Sequence, residues 1–144
     1  MERQLGVIMN GVTGRMGTNQ HLVRSVLAIR EQGGIVLPDG DRVVPDPILV
    51  GRNEEKLARL AREHGLAKYT TDLDGALSDS AAEIYFDSTK TELRVDGVRR
   101  AIEAGKAIYC EKPTATNLRD ALSLWHAARD AGGRLLSLDA HLRA

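Results

Sequence analysis

The sequence predicts a doubly wound α/β fold built on a parallel sheet. Short apolar runs alternate with longer helical stretches, and most stretches open on a capping residue or stop at a glycine. Strands that alternate with helices in this way pair in parallel through right-handed crossovers. The 144 residues, 42% hydrophobic and 28% charged, suit about one domain with a true core.

Residues 5–9 (LGVIM) read as a buried first strand. The loop of residues 11–17 leads into a helix ending near Arg30, with Leu22, Val23, Val26 and Leu27 at helical spacing. Residues 48–50 (ILV) form a second strand. Asn53 is placed to cap the next helix, which carries Glu54 and Glu55 in its first turn and Leu57, Leu60 and Ala61 on one face. Gly65 is its stop. A third strand lies near residues 68–70, and Asp72 caps a brief helix. Residues 84–86 (IYF) form a fourth strand, residues 93–104 a helix ended by Gly105, and residues 107–110 (AIYC) a fifth strand. Asn117 opens a helix in which Leu118, Ala121, Leu122, Trp125 and Ala128 recur at i, i+3, i+4 and mark the expected packing face. Gly132 and Gly133 end it, and residues 135–138 (LLSL) form a sixth strand. One stretch breaks the rhythm. Residues 33–47 insert between the first helix and the second strand, and Asp39-Gly40 between two β-rich runs suggests a small hairpin.

Lys plus Arg and Asp plus Glu each total 20, so the formal charge is zero and nothing favours a nucleic-acid partner. The apolar runs fall far below the ~20 residues that span a bilayer. The start runs straight into a strand, without the shape of a signal peptide. A single cysteine, Cys110, forbids an internal disulfide or a cysteine-built zinc site, and it reads as a buried structural thiol. His21, His64 and His126 show no metal-ligand spacing. The expectation is a cytoplasmic domain with no membrane partner and no metal.

Directly after the first strand, Gly11-Val12-Thr13-Gly14-Arg15-Met16-Gly17 sets glycines at a G-x-x-G-x-x-G spacing. Gly11 suits the tight turn, Gly14 lets a pyrophosphate approach the backbone, and Gly17 lets the helix pack on the sheet. The N–H groups opening a helix, at its positive dipole end, then bind the phosphates. The plain alternative is a glycine-rich turn that binds nothing. NAD enzymes place an acidic side chain at the end of the second strand, where it accepts from the ribose 2′-hydroxyl. Here Val50 is followed by Gly51-Arg52-Asn53. Arg52 offers charge-assisted contacts to a 2′-phosphate, so NADP is preferred, with NAD as the alternative.

Glu111-Lys112-Pro113 follows the fifth strand, at the sheet end that faces a ligand crevice. A lysine there can orient a substrate hydroxyl, donate to a carbonyl and stabilise developing negative charge. With the glycine loop, the Gly51-Arg52-Asn53 strand end and the run AIEAGKAIYCEKP over residues 101–113, the chain resembles the glucose-fructose oxidoreductase, inositol dehydrogenase and rhizopine-catabolism family (Gfo/Idh/MocA). The resemblance covers about residues 5–133; its Glu-Lys-Pro motif is fairly specific and its glycine loop generic.

The resemblance implies an oxidoreductase that moves a hydride between a nicotinamide and a carbinol or carbonyl of a sugar, cyclitol or dihydrodiol. It implies Lys112 as the catalytic lysine and a cis Lys112–Pro113 bond, and it sets Asp87, Ser88 and Thr89 beside the cofactor. The cofactor-binding residues expected are then Gly11, Val12, Thr13, Gly14, Arg15, Met16, Arg52, Asn53, Asp87, Ser88, Thr89, Glu111 and Lys112.

Two departures from the family pattern stand out. Many members carry an Asn-Pro turn and a histidine after the fourth strand, where this sequence has Asp87-Ser88-Thr89-Lys90-Thr91. Members also continue into a second α/β domain that supplies most of the substrate pocket, commonly a histidine, and the sheet through which they oligomerise. This chain stops at Ala144, and His141 reads as an ordinary exposed residue. The expectation is one dinucleotide-binding domain over residues 1–144 without that second domain: a truncated chain, a fragment or a natural stand-alone domain. The glycine string also looks like the opening of dihydrodipicolinate reductase, but Glu111-Lys112-Pro113 favours the first family. A short-chain dehydrogenase is excluded, because Tyr69, Tyr85 and Tyr109 are followed four residues on by Leu73, Thr89 and Pro113, not lysine. The competing class is a non-catalytic NAD(P)-binding module that senses the nucleotide or docks to a partner.

Overall fold

The computed structural model describes residues 1–133 and 135–137. One sheet gathers β1 (Glu2–Asn10), β2 (Ile35–Val36), β3 (Arg42–Val50), β4 (Tyr69–Thr70), β5 (Ala82–Asp87), β6 (Ala107–Cys110) and β7 (Leu135–Ser137). Its order is β2-β3-β1-β5-β6-β7, with β4 also paired to β3. Every pairing is parallel except that of β2 with β3. Helix α1 opens as a widely wound segment, Gly17–Leu27, and continues as an α-helix over Ala28–Glu31; α2 (Glu54–Glu63), α3 (Leu73–Ser78), α4 (Thr91–Glu103) and α5 (Leu118–Asp130) follow.

The two faces of β1 explain the layering. Val7 and Met9 pack with Leu22 and Leu27 of α1, Leu57 and Leu60 of α2, and Phe86. Ile8 packs on the opposite face with Ala76 of α3, Val98 and Ala101 of α4, and Leu124 of α5. A strand covered on both faces reads as a continuous apolar run, as LGVIM does. Burying a side chain such as Ile8 or Leu57 contributes about 1.5–3 kcal/mol. Because β3 lies on one side of β1 and β5 on the other, β1 ends at a topological switch point, where such sheets open a crevice.

Local signals set the helix ends. Asn53 Oδ1 accepts from Lys56 N–H at 2.9 Å, Asp72 Oδ1 from Gly75 N–H at 3.0 Å, and Asn117 Oδ1 from Asp120 N–H at 2.9 Å. Each satisfies one backbone donor that a helix start leaves open. Helix α4 starts at Thr91, two residues before the sequence suggests, and Lys90 caps it without a side-chain hydrogen bond. At its other end Gly105 has φ +72°, and Lys106 N–H reaches back to Ala101 O at 3.0 Å.

Three expectations are corrected. The strand read as residues 48–50 runs over all of Arg42–Val50, so the Arg42-Val43-Val44 run belongs to it. Pro45 and Pro47 are tolerated for a reason of direction. Leu49 N–H points to Lys68 O, away from β1, so two-residue alternation turns both prolines to that edge, where β2 pairs only at Arg42 and Val43 and β4 begins at Leu49. The packing face of α5 is Leu124 and Ala128; Leu118, Leu122 and Trp125 point outward, and the Arg129 guanidinium lies 5.0 Å over the Trp125 ring. Helix α1 is wound more widely than an α-helix over Gly17–Leu27, which brings Gly17, Leu22 and Leu27, five residues apart, to its buried side. Leu138 of the expected sixth strand and His141 lie outside the described residues.

Candidate functional site

The C-terminal ends of β1, β3, β5 and β6 deliver four loops to the switch point. After β1, Gly11 adopts φ +79°, a left-handed conformation costly to other residues, and its N–H donates to Val50 O at 3.0 Å. A Cβ on Gly11 would sit 2.7 Å from Thr89 N; one on Gly17 would sit 2.7 Å from Gly11 O and 2.8 Å from Ser88 Oγ. Both glycines are therefore demanded by the protein's own packing. Gly14 differs. A Cβ there would meet nothing closer than Gly11 O at 3.4 Å, so the fold leaves it room. Gly14 O accepts from Thr18 N–H at 2.8 Å, which places it where the helix begins.

Around this turn lies a cavity of about 680 Å³, lined by Gly11, Thr13, Gly14, Arg52, Asn53, Ser88 and Thr89 among the expected site residues. Asn10, Lys56 and Lys90 line it as well. Val12 does not: its side chain is fully buried among Leu22, Leu49 and Leu57, leaving only its backbone for a ligand. Arg15 and Met16 are exposed at the helix start but do not line the cavity. A second cavity, of about 600 Å³, lies on the α1 face of the sheet between Leu5, Ile84, Phe86 and Tyr109. Its walls are mainly apolar, with His21, Ser25 and Tyr109 as their polar side chains, and it lies away from the glycine turn.

The loop after β5 is built on a buried carboxylate. Asp87 is fully buried and does not line the glycine-loop cavity. It accepts from Tyr85 Oη at 2.5 Å, from Thr89 N–H at 2.9 Å, from Thr89 Oγ1 at 2.7 Å and from Arg94 Nε at 3.3 Å. Asn10 Nδ2 donates to Tyr85 Oη at 2.9 Å. Burial, and then the charge of Asp87, push the Tyr85 phenol far above its ordinary range, so it stays a donor. Asp87 thus shapes the loop, and Ser88 and Thr89 present it to the cavity.

After β6, Glu111 N–H donates to Asp87 O at 2.9 Å, which joins the two loops. The Glu111 carboxylate accepts from His21 Nε2 of α1 at 2.5 Å and from Lys112 N–H at 3.2 Å. The His21 ring lies 4.5 Å from that of Phe86. Lys112 is exposed, and the Lys112–Pro113 peptide bond is cis. Neither Glu111 nor Lys112 lines the glycine-loop cavity, but hydrogen bonds tie their loop to β5 and α1.

Arg94, Asn10 and Lys56 carry no site role in the sequence, and His21 figures there only as lacking metal-ligand spacing. A usable signal existed for Arg94, which sits on the same stripe of α4 as the buried Val98, Ala101 and Ile102. An arginine on an apolar stripe announces a buried partner.

Residues 6–138 match the family model described as "Oxidoreductase family, NAD-binding Rossmann fold" of the Gfo/Idh/MocA group. The chain belongs to the Gfo/Idh/MocA family. The D-xylose dehydrogenase of Paenarthrobacter nicotinovorans is 49% identical over 126 residues, which cover 88% of this chain and 32% of that protein. The 1,5-anhydro-D-fructose reductase of Ensifer adhaerens is 34% identical over 116 residues, or 81% of this chain and 32% of that protein. A solved levoglucosan dehydrogenase, in complex with NADH and levoglucosan, superposes with a TM-score of 0.74 at 26% identity, covering 90% of this chain and 33% of that one. The chain therefore spans about a third of the length of these proteins. It is an NAD-binding Rossmann-type domain of the family, and no helix among the described residues is long and apolar enough to cross a membrane.

Proposed function

We propose that residues 1–144 form the dinucleotide-binding part of an oxidoreductase that moves a hydride between a nicotinamide and a carbinol or carbonyl carbon of a sugar. The observation that carries this reading is Gly14. Its missing side chain answers to no contact inside the protein, so the bare backbone at the cavity floor suits a group arriving from outside, as a pyrophosphate does. The relatives named for D-xylose and 1,5-anhydro-D-fructose support a sugar as the substrate class.

In this reading the amides that open α1 and the hydroxyl-bearing Thr13 receive the diphosphate, while Ser88 and Thr89 wall the cavity beside it. Arg52 and Lys56 at the β3 end receive a 2′-phosphate, so NADP is preferred over NAD. When bound, the nicotinamide supplies the hydride donor or acceptor. When hydride arrives at a carbonyl carbon, Lys112 donates to its oxygen and stabilises the negative charge developing there. In the oxidising direction it orients the carbinol, whose hydroxyl proton passes to a base supplied beyond this chain as hydride leaves. Residues beyond this chain complete the sugar pocket.

The test is turnover in the full-length protein. NADP⁺ with a panel of aldoses and polyols led by D-xylose should be reduced, and Lys112→Ala should abolish that reduction while dinucleotide binding persists. Normal turnover by Lys112→Ala would refute the assigned role. Tight dinucleotide binding with no turnover of any panel member would favour a nucleotide-sensing module instead.

A further inference from the structure

We infer that Arg94 is a positioning residue for Lys112, an inference that rests on the role of Lys112 proposed above. Arg94 belongs to α4 and is only 3% exposed, yet its guanidinium reaches three acceptors on the two loops flanking the crevice. Nε donates to Asp87 Oδ1 at 3.3 Å, Nη2 donates to Thr89 O at 2.6 Å, and Nη1 donates to Pro113 O. One rigid cation therefore joins the loop after β5 to the residue that follows Lys112.

Lys112 is braced from both sides. On one side its N–H donates to Glu111 Oε2, and Glu111 is in turn held by His21. On the other, Arg94 holds the Pro113 carbonyl. The lysine side chain is long and exposed, so its backbone decides where its ammonium can reach. Arg94 itself is fixed, because its Asp87 partner is locked by Tyr85 and Thr89. A buried ion pair is weak as a source of stability, since apolar residues of similar volume commonly do as well. Geometric specificity is what the planar three-way fork supplies here, and a lysine ammonium lacks that fork.

The experiment compares Arg94→Lys, the charge-removing double variant Arg94→Met/Asp87→Asn, and Lys112→Ala, all in the full-length protein with NADP⁺ and the aldose panel. The double variant strands no buried charge, so it separates folding from positioning. In both Arg94 variants kcat should fall at least about tenfold, and in Arg94→Lys the Kd for NADP⁺ should stay within about threefold, because a small displacement of a reacting group costs rate rather than cofactor affinity. A purely structural residue would leave kcat per folded molecule unchanged. Wild-type kcat in either variant, within about threefold, overturns the inference. So does the loss of folding and NADP⁺ binding together in both variants. Should Lys112→Ala be inactive while the Arg94 variants turn over normally, the positioning role alone fails. Should Lys112→Ala, or a wild type that binds NADP⁺, show that Lys112 does no chemistry, the site assignment falls and this inference falls with it.

Discussion

A side chain on Gly97 would place its first carbon 2.4 Å from the Tyr85 hydroxyl, so α4 touches β5 through bare backbone at the point where Tyr85 meets Asp87. Helix propensity alone favours alanine over glycine by about 1 kcal/mol. The clash is larger, since overpacking in a rigid core costs about 1–3 kcal/mol. Gly97→Ala is therefore expected to destabilise, lowering the denaturation midpoint. Removing the hydroxyl in a Gly97→Ala/Tyr85→Phe double variant should recover part of the loss. A Gly97→Ala protein more stable than wild type would show that the contact is absent.

The glycine loop separates two kinds of requirement. Gly17→Ala meets Gly11 O and Ser88 Oγ inside the protein, so it should lower stability with or without a ligand. Gly14→Ala has ordinary room, so its stability in the absence of ligand should stay within about 0.5 kcal/mol of wild type. On the proposed reading its affinity for a dinucleotide should nonetheless fall sharply, because the added methyl would stand where a pyrophosphate approaches. Calorimetric titration with NADP⁺ and with NAD⁺ reads this out. Unchanged affinity in a folded Gly14→Ala protein would move the phosphates away from this turn.

On the proposed reading, Arg52 and Lys56, which line the cavity at the β3 end, favour NADP over NAD. Hydrogen bonds to charged groups contribute about 1.5–3 kcal/mol, or roughly a tenfold to hundredfold effect on affinity. Arg52→Ala should weaken NADP⁺ by about that factor and leave NAD⁺ nearly unchanged. Arg52→Asp should go further and reverse the preference, since a carboxylate repels the 2′-phosphate and accepts from a 2′-hydroxyl. Thermal shifts with the four oxidised and reduced dinucleotides measure it. Equal losses for both dinucleotides in Arg52→Ala would remove Arg52 from the specificity site.

What the sequence discloses about this fold divides by range. Caps are local, so Asn53, Asp72 and Asn117 announce their helices correctly. The four loop-bearing strand ends are legible for the same reason, because an apolar run that stops at a glycine or polar turn needs no distant partner. The full length of β3 is not, since Pro45 and Pro47 look like breakers until the partnerless edge they face is known. The face of α5 misleads in part: Ala128 is buried as expected, but Leu118, Leu122 and Trp125 form a better apolar stripe than the buried Leu124, and only the position of the sheet decides between them. Within the site, Gly14 and Arg52 are read from spacing. The α4 stripe announces that Arg94 has a buried partner, but the Asp87–Arg94 and His21–Glu111 pairs join separate elements, so no local pattern names the partner.

The buried phenol of Tyr85 also makes a prediction about pH. Its pKa in the folded protein is raised, by burial first and then by the Asp87 charge. In the unfolded chain it ionises near the ordinary tyrosine value of about 10. Below that pH both states hold the proton, and the stabilisation is fully present. Above it the unfolded chain loses a proton that the folded protein keeps, so stability falls by up to about 1.4 kcal/mol per pH unit. Tyr109, raised by burial and by the Glu111 charge, and Lys68, raised by its bond to Asp46, add slopes of the same sign. The Tyr85 share is isolated by comparison with Tyr85→Phe. That variant should be less stable at pH 8, where Asp87 has lost a donor, but should lose less further stability than wild type between pH 10 and 11, by up to about 1.4 kcal/mol. Urea denaturation at each pH reads both effects. Parallel alkaline slopes for the two proteins would mean that Tyr85 ionises in the folded state as readily as in water, and that the hydrogen bond to Asp87 does not hold its proton.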